Sequence, residues 1–199
     1  MNKFFRHWGL LNRHRYHVFL NGCHCGIGFH CLFHDLSKYG PKEFFPSVKN
    51  YTGVYSPVAE ERSKNDLFSF ICQHHTKRNK HHWEYWTDFY RGSVIAINMP
   101  WLYAVEYVCD MLSASYCYDP EGFIRPGPYY RFLEHKTRYY LTDATDEFVT
   151  WCLKRFAELG WDGLKKKDTK KMYAEIAAKY PRVKVFPSPL GAGTLPEGE

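Results

Sequence analysis

The stretch His34-Asp35-Leu36-Ser37-Lys38 decides how the rest of the chain is interpreted, because it places an imidazole, a carboxylate and an ammonium group close together. A neutral histidine and an aspartate are ligands that neighbouring divalent ions can share. On a helix, the side chains of His34 and Asp35 diverge by about 100°, whereas His34 and Lys38 lie on one face. The stretch therefore predicts a metal site with Lys38 beside it, where an anionic substrate would bind.

Further histidines and a second aspartate recur near the middle or the end of predicted helices. Helices that pack side by side can direct such side chains to one point. Asp110 lies in an apolar segment, where a carboxylate without a partner is costly to bury. His17 competes with His14 as a ligand, and His74 competes with His75. The predicted metal ligands are His14, His34, Asp35, His75, His81, His82 and Asp110.

The predicted ligands also indicate which metal ions would bind and which reaction they would support. Two aspartates and several neutral imidazoles around two divalent ions leave a charge of about +2, or about +1 with a bridging hydroxide, which attracts phosphate oxygens. A ligand set without thiolate indicates iron or manganese, with zinc, cobalt or nickel as alternatives. The predicted catalytic residues are Lys38, Asp35 and Glu84. Glu106, one turn before Asp110, is predicted either to orient a ligand or to be an exposed acid.

Composition indicates one globular domain, or one domain with a tail, because 199 residues with 45% hydrophobic and 24% charged side chains can form a core. An apolar run of about 20 residues, which a membrane span needs, is absent from the sequence. The start of the chain does not resemble a signal peptide.

Seven cysteines, an odd number, predict reduced thiols and a cytoplasmic protein. The Cys23-His24-Cys25 stretch lacks a second cysteine pair at zinc-site spacing, and His7, His24, His30 and His135 are predicted to be packed or surface residues.

The net charge of +6 does not indicate nucleic-acid binding. Residues 165–171 contain five lysines and one aspartate, a local charge of +4, which leaves +2 for the rest of the chain. A nucleic-acid footprint spreads over a face or a groove. The lysine run is therefore predicted to be a solvated basic turn.

The hydrophobic pattern predicts an all-α chain without strands. A domain over residues 1–160 is predicted to hold the metal, followed by a basic helix and a Pro/Gly-rich tail over residues 161–199. Residues 79–86 are predicted to be a tight link or a helix start, and residues 183–199 an ordered strap or a disordered tail. The predicted helices are 4–20, 22–39, 42–51, 58–77, 101–116, 129–140, 143–159 and 168–180.

Several motifs resemble DUF5662, a family of unknown function found in bacteria and phages. The resemblance covers about residues 4–140 and favours His14 over His17 and His75 over His74. The motifs are His14-Arg15-x-x-Val18, the HDLSK stretch, Glu43-Phe44, His75-x-x-x-Asn79-x-His81-His82-Trp83-Glu84-Tyr85-Trp86, and Met99-Pro100 with Glu106-x-x-x-Asp110.

His34-Asp35 with Lys38 also resembles the HD-x-x-K form of the HD-domain metal-dependent phosphohydrolases, and Asp110 resembles the distal aspartate of that superfamily. The additional histidines resemble those of dinuclear members. This resemblance implies an HD-domain-like helical bundle. No Gly-Tyr-Pro follows the His81-His82 pair, so specificity for cyclic dinucleotides is not implied.

Together, the residues and the resemblance predict a phosphomonoesterase or phosphodiesterase that acts on a nucleotide or another small phosphorylated substrate. The first alternative is an HD-type diiron oxygenase, which shares these ligands. The second is a non-catalytic nucleotide-binding protein of a bacterium or a phage. Trp83, Tyr85 and Trp86 are predicted to form a stacking wall or to pack in the core. The sequence predicts no membrane partner, and it leaves the oligomeric state open.

Overall fold

The computed structural model describes residues 2–187, which form mostly α-helices. No helix within this part of the chain is long and apolar enough to cross a membrane. The strands are β1 (Thr87–Tyr90), β2 (Ser93–Ile97) and β3 (Val183–Phe186). In chain order, α1 to α9 are Lys3–His24, Gly28–Cys31, Pro41–Asn50, Pro57–Lys64, Phe70–Thr76, Trp101–Tyr118, Gly127–His135, Asp143–Leu159 and Lys166–Ala177.

Helices α1, α6 and α8 form the centre of the fold, with α6 between the other two. Val18 of α1, Val108 of α6 and Phe148 of α8 belong to one core and are fully or almost fully buried. Burial of each such side chain contributes roughly 1.5–3 kcal/mol before the cost of ordering it. The α1–α6 pair therefore forms a rigid base on which metal ligands can be placed.

The basic C-terminal segment packs on this core. Leu164 and Ile176 are buried in the core, and the Tyr173 hydroxyl donates a hydrogen bond of 2.6 Å to the carbonyl oxygen of Met99. The lysines of residues 165–171 are exposed, but they lie before and along the first turns of α9 instead of forming a turn. The predicted tail after β3 begins at residue 188, and residues 188–199 lie outside the part of the chain that is described.

The prediction of a chain without strands is wrong, because β1, β2 and β3 form a small antiparallel sheet in that order. Arg91 and Gly92, both with positive φ angles (49° and 78°), form the two-residue turn between β1 and β2. Such a turn suits the twist of a hairpin. β3, from the segment predicted to be a strap, pairs with β2.

Two predicted helices are also interrupted. The predicted helix 22–39 does not form: α1 continues to His24, Gly26 is left-handed (φ 71°), and α2 is a single turn. The predicted helix 58–77 breaks at Asp66 and Leu67, whose positive φ angles separate α4 from α5. Both breaks shorten the helices next to the predicted ligands.

Candidate metal centre

The His34-Asp35 pair lies in a turn. Asp35 adopts a left-handed backbone conformation (φ 55°, ψ 25°) and precedes a 3-10 helix over Leu36–Tyr39. As a result His34 Nε2 lies 3.2 Å from Asp35 Oδ2, whereas a helix would have separated the two side chains. Residues three apart eclipse in a 3-10 helix, and Lys38 Nζ lies 2.5 Å from Asp35 Oδ2. The prediction that His34 and Lys38 share a helix face is therefore wrong; Asp35 and Lys38 share one.

The structure brings all seven predicted ligands together in two clusters. In each cluster the potential ligand atoms lie within 4.8 Å of one another. The first cluster draws on α1, the turn before the 3-10 helix, and α6; the second draws on that turn, α5 and the loop after α5. The first cluster is His14, His34 and Asp110, and the second is Asp35, His75, His81 and His82.

The Asp35 carboxylate lies between the two clusters. Its Oδ2 atom is 3.2 Å from His34 Nε2 and 3.9 Å from His14 Nε2. Its Oδ1 atom is 3.2 Å from His75 Nε2 and 3.4 Å from His81 Nε2. The residue is 1% exposed, so neither oxygen is well hydrated. One buried carboxylate is thus placed to bridge two ions, one in each cluster.

The clusters contain buried polar atoms that lack hydrogen bonds. A buried polar group without a partner costs free energy and is rare in native proteins. A divalent cation would complete the bonding of such atoms, so the residues fit a metal centre. The atoms are the Nε2 atoms of His34, His75, His81 and His82, together with Asp35 Oδ1. Asp35 Oδ2 instead pairs with Lys38 Nζ, and His14 Nε2 lies 2.9 Å from Asp110 Oδ1.

Two glutamates orient the imidazoles. His34 Nδ1 lies 2.9 Å from Glu106 Oε1, and His75 Nδ1 lies 2.8 Å from Glu43 Oε2. When Nδ1 donates its proton to a carboxylate, Nε2 carries the lone pair that binds a metal. His81 Nδ1 lies 3.4 Å from the same Glu106 oxygen. The sequence left two possibilities for Glu106, a residue that orients a ligand or an exposed acid. The structure places its carboxylate against His34 and His81, as expected for the first possibility.

Two further histidines contact the outer oxygens of these glutamates. His30 Nε2 is 2.7 Å from Glu106 Oε2, and His74 Nδ1 is 2.7 Å from Glu43 Oε1. His30, predicted to be packed or on the surface, is therefore part of the hydrogen-bond network. His74 contacts Glu43, while His17 packs edge-on against another aromatic ring 4.6 Å away and belongs to neither cluster.

Hydrogen bonds also fix the turn that carries His34 and Asp35. The Arg15 guanidinium donates to the carbonyl oxygen of His34 at 2.9 Å, which ties the turn to α1. The Asn79 amide donates to Ser37 Oγ at 2.9 Å, which ties the 3-10 helix to the end of α5. Neither role was predicted, although both residues stand in the motifs that carry the family resemblance.

Burial disfavours the charged form of every ionisable side chain in the centre. The charged groups next to each side chain then determine whether its pKa is raised or lowered. Burial alone would lower the pKa of His34, but the carboxylates of Asp35, Asp110 and Glu106 raise it well above its usual value. Burial would raise the pKa of Asp35, but His34 and Lys38 lower it well below its usual range. An ion bound here would need deprotonated ligands, so its uptake would displace protons from this network.

A cavity of about 210 Å³ opens beside the first cluster, with His14, Lys38 and Asp110 in its wall. Trp83 and Trp86 pack against the hydrophobic core instead, so a stacking wall formed by them does not line this cavity. Most of its remaining wall is aliphatic. The cavity therefore provides a mostly aliphatic space directly beside the first cluster.

Glu84, predicted to be catalytic, lies in the 3-10 helix Trp83–Trp86. One of its carboxylate oxygens is buried without a hydrogen bond, and burial raises its pKa. It belongs to neither cluster and does not line the cavity described above. A catalytic role for Glu84 stays a prediction.

Comparison with models of known protein families shows to which family the chain belongs. The model of a family described as "Family of unknown function (DUF5662)" matches residues 3–155. The chain belongs to the DUF5662 family. The matched residues of this DUF5662 member include both clusters, Glu43 and Glu106. Searches of curated proteins and of solved structures find no match.

Replacement of Glu106 or Glu43 by glutamine should weaken metal binding by about 10- to 100-fold, because each carboxylate fixes the tautomer and orientation of an imidazole. Competition with a chelator of known affinity measures the change. Glu175→Gln, an exposed glutamate beside Lys171, is the matched control and should bind like the parent protein. Equal affinity in all three variants would show that the glutamates do not orient ligands.

Proposed function

We propose that this protein is a metal-dependent phosphohydrolase with a dinuclear centre, acting on a small phosphorylated substrate. One observation carries the proposal: the Asp35 carboxylate lies between His34 of the first cluster and two histidines of the second, His75 and His81, and the Nε2 atoms of these three imidazoles lack hydrogen bonds. The ammonium group of Lys38 stands beside that carboxylate and lines the adjacent cavity. A centre of this kind suits a negatively charged substrate.

The donor atoms favour hard or borderline ions. The two clusters offer imidazole nitrogens and carboxylate oxygens and no thiolate. This set suits iron or manganese, with zinc, cobalt or nickel as alternatives. Two such ions, when bound, supply Lewis acidity toward a phosphate ester and activate water as the nucleophile.

The side chains around the centre divide the remaining tasks. Lys38 binds a non-bridging phosphate oxygen or neutralises the leaving group, because its ammonium group faces both Asp35 and the cavity. Glu106 and Glu43 hold the imidazoles in their binding tautomer. The aliphatic cavity wall excludes water from the rest of the substrate. The sequence-based prediction that Glu84 carries a proton gains no support from the clusters or the cavity lining, neither of which includes this residue.

The HD-domain resemblance supports the same class of reaction. The residues that carry this resemblance, His34, Asp35 and Asp110, lie in the two clusters. The ligand set is shared with HD-type diiron oxygenases, so the proposed hydrolase must be distinguished from that alternative by its reaction. The third possibility, a nucleotide-binding protein, would retain a ligand without turnover.

The test is an assay of protein loaded with manganese or iron(II), with 4-nitrophenyl phosphate and bis(4-nitrophenyl) phosphate as substrates. Metal-dependent hydrolysis is expected. In Lys38→Met, kcat/KM should fall by about 100-fold, the usual loss for one group that stabilises transition-state charge. Lys154→Met, at an exposed position on α8, is the control.

Three outcomes would contradict the proposal. The absence of hydrolysis with every metal tested would exclude both esterase activities on these substrates. Oxygen consumption by the iron-loaded protein without phosphate release would favour the diiron oxygenase. Retention of a nucleotide through purification, with no turnover, would favour the binding protein.

A further inference from the structure

His7 is a buried imidazole without a hydrogen-bond partner in the wall of the cavity beside the metal centre. Its exposed fraction is 3%, and neither ring nitrogen forms a hydrogen bond within residues 2–187. The ring packs against Phe44 and Tyr51, with ring centroids 5.7 and 5.5 Å away. An unpaired buried polar group is costly, so the structure calls for a group that completes its hydrogen bonds.

The place of His7 on α1 relates it to the metal centre. His7 and His14 are separated by two helical turns, about 10.5 Å along the axis, and both line the cavity. The cavity therefore extends from the first metal cluster to His7. The wall between these ends is mostly aliphatic and includes Leu10, Leu11, Val58 and Ile71.

The charges along the cavity differ between its two ends. Lys38, near the metal centre, is the one lysine or arginine among the described lining residues. At the other end, burial, and to a smaller extent the positive charge of Lys38, lower the pKa of His7 to about 4. The imidazole is then neutral near pH 7 and offers one donor and one acceptor nitrogen. A neutral imidazole suits an uncharged polar group and does not attract a second phosphate.

We infer that His7 binds a hydroxyl or amide group at the far end of a substrate whose phosphate lies at Lys38 and the metal clusters, with an aliphatic body between them. The location of the phosphate rests on the proposed function, whereas the polar end rests on His7 alone. The described lining contains one tyrosine, Tyr118, and no tryptophan or phenylalanine. This composition and the cavity volume of about 210 Å³ favour a small aliphatic monophosphate over a nucleoside di- or triphosphate.

Calorimetry with two non-hydrolysable probes tests the inference on the manganese-loaded protein. The probes are hexylphosphonate and 6-hydroxyhexylphosphonate, which differ only in the terminal hydroxyl. The parent protein should bind the hydroxylated probe about three- to tenfold more tightly, the gain typical of one hydrogen bond. His7→Phe keeps a ring against Phe44 and Tyr51 but removes both nitrogens, and it should abolish this preference. His7→Gln should retain part of it.

The inference is overturned if the parent protein shows no preference, if His7→Phe retains it, or if neither probe binds at millimolar concentration. Hydrolysis of 4-nitrophenyl phosphate, measured in parallel, separates this inference from the proposed function. A preference that depends on His7, without turnover, would support the binding role and contradict the hydrolase. Turnover without the preference would support the hydrolase and contradict the role of His7.

Discussion

Replacement of Asp35 by asparagine should remove both metal ions and lower phosphatase activity by at least about 10³-fold, a loss equivalent to several kcal/mol of transition-state stabilisation. The carboxylate faces both clusters, so its charge and both of its oxygens contribute to each ion site. Asparagine is preferable to alanine because residue 35 has a φ angle of 55°, and asparagine tolerates the left-handed region. Elemental analysis of protein purified without chelator measures the ions per chain.

Two matched variants make this experiment decisive. Asp110→Asn should lose the ion of the first cluster and keep the ion held by Asp35, His75 and the following histidines. Asp146→Asn, which removes an ion-pair partner of Lys136 remote from the clusters, should bind as many ions as the parent protein. An Asp35→Asn protein that binds as much metal as the parent would show that Asp35 does not bridge the ions.

Metal loading should raise the thermal stability strongly. An ion that binds only the folded state adds about 2.7 kcal/mol at a concentration one hundred times its Kd. For a domain of this size that gain corresponds to a rise in Tm of roughly 5–10 °C. The buried polar atoms without partners are the groups that would gain bonds. Scanning calorimetry with and without manganese measures the rise, and a chelator should reverse it.

The stabilisation by metal should decrease as the pH falls. The raised pKa of His34 means that, without ions, its ion pairs contribute stability below its usual pKa, which is lost as the pH rises through the folded value. Metal binding requires the neutral imidazole, so ions compete with that proton. The rise in Tm should therefore be larger at pH 8 than at pH 6. A rise that does not change with pH would contradict ligation by this histidine.

The convergence of the candidate ligands was predictable from the sequence because their residue types are unusual together. A His-Asp pair, a His-His pair and an aspartate in an apolar segment restrict the chemistry, whatever the local backbone is. The sequence could not predict the backbone conformation at the His34-Asp35 pair. Periodicity favours a helix through residue 35, whereas the structure has a left-handed Asp35 that turns His34 and Asp35 toward the same point.

The glutamates that contact the candidate ligands were harder to predict than the candidate ligands themselves. Glu43 lies in α3, far from its partner His75 in sequence, and a single glutamate on a helix is usually a surface residue.

The sheet was not predicted for a related reason. Its strands have four or five residues, and four helices, α6 to α9, separate β3 from its partner β2 in the sequence. Pairing between strands that are distant in sequence cannot be recognised from the hydrophobic periodicity of either segment alone.

Anomalous diffraction from crystals grown with manganese would test the central claim most directly. The account predicts two anomalous peaks on either side of the Asp35 carboxylate, about 3.5–4 Å apart as in other two-metal sites. One peak should lie among His14, His34 and Asp110, and the other among His75, His81 and His82. A single peak, or no peak within these clusters, would contradict the dinuclear centre.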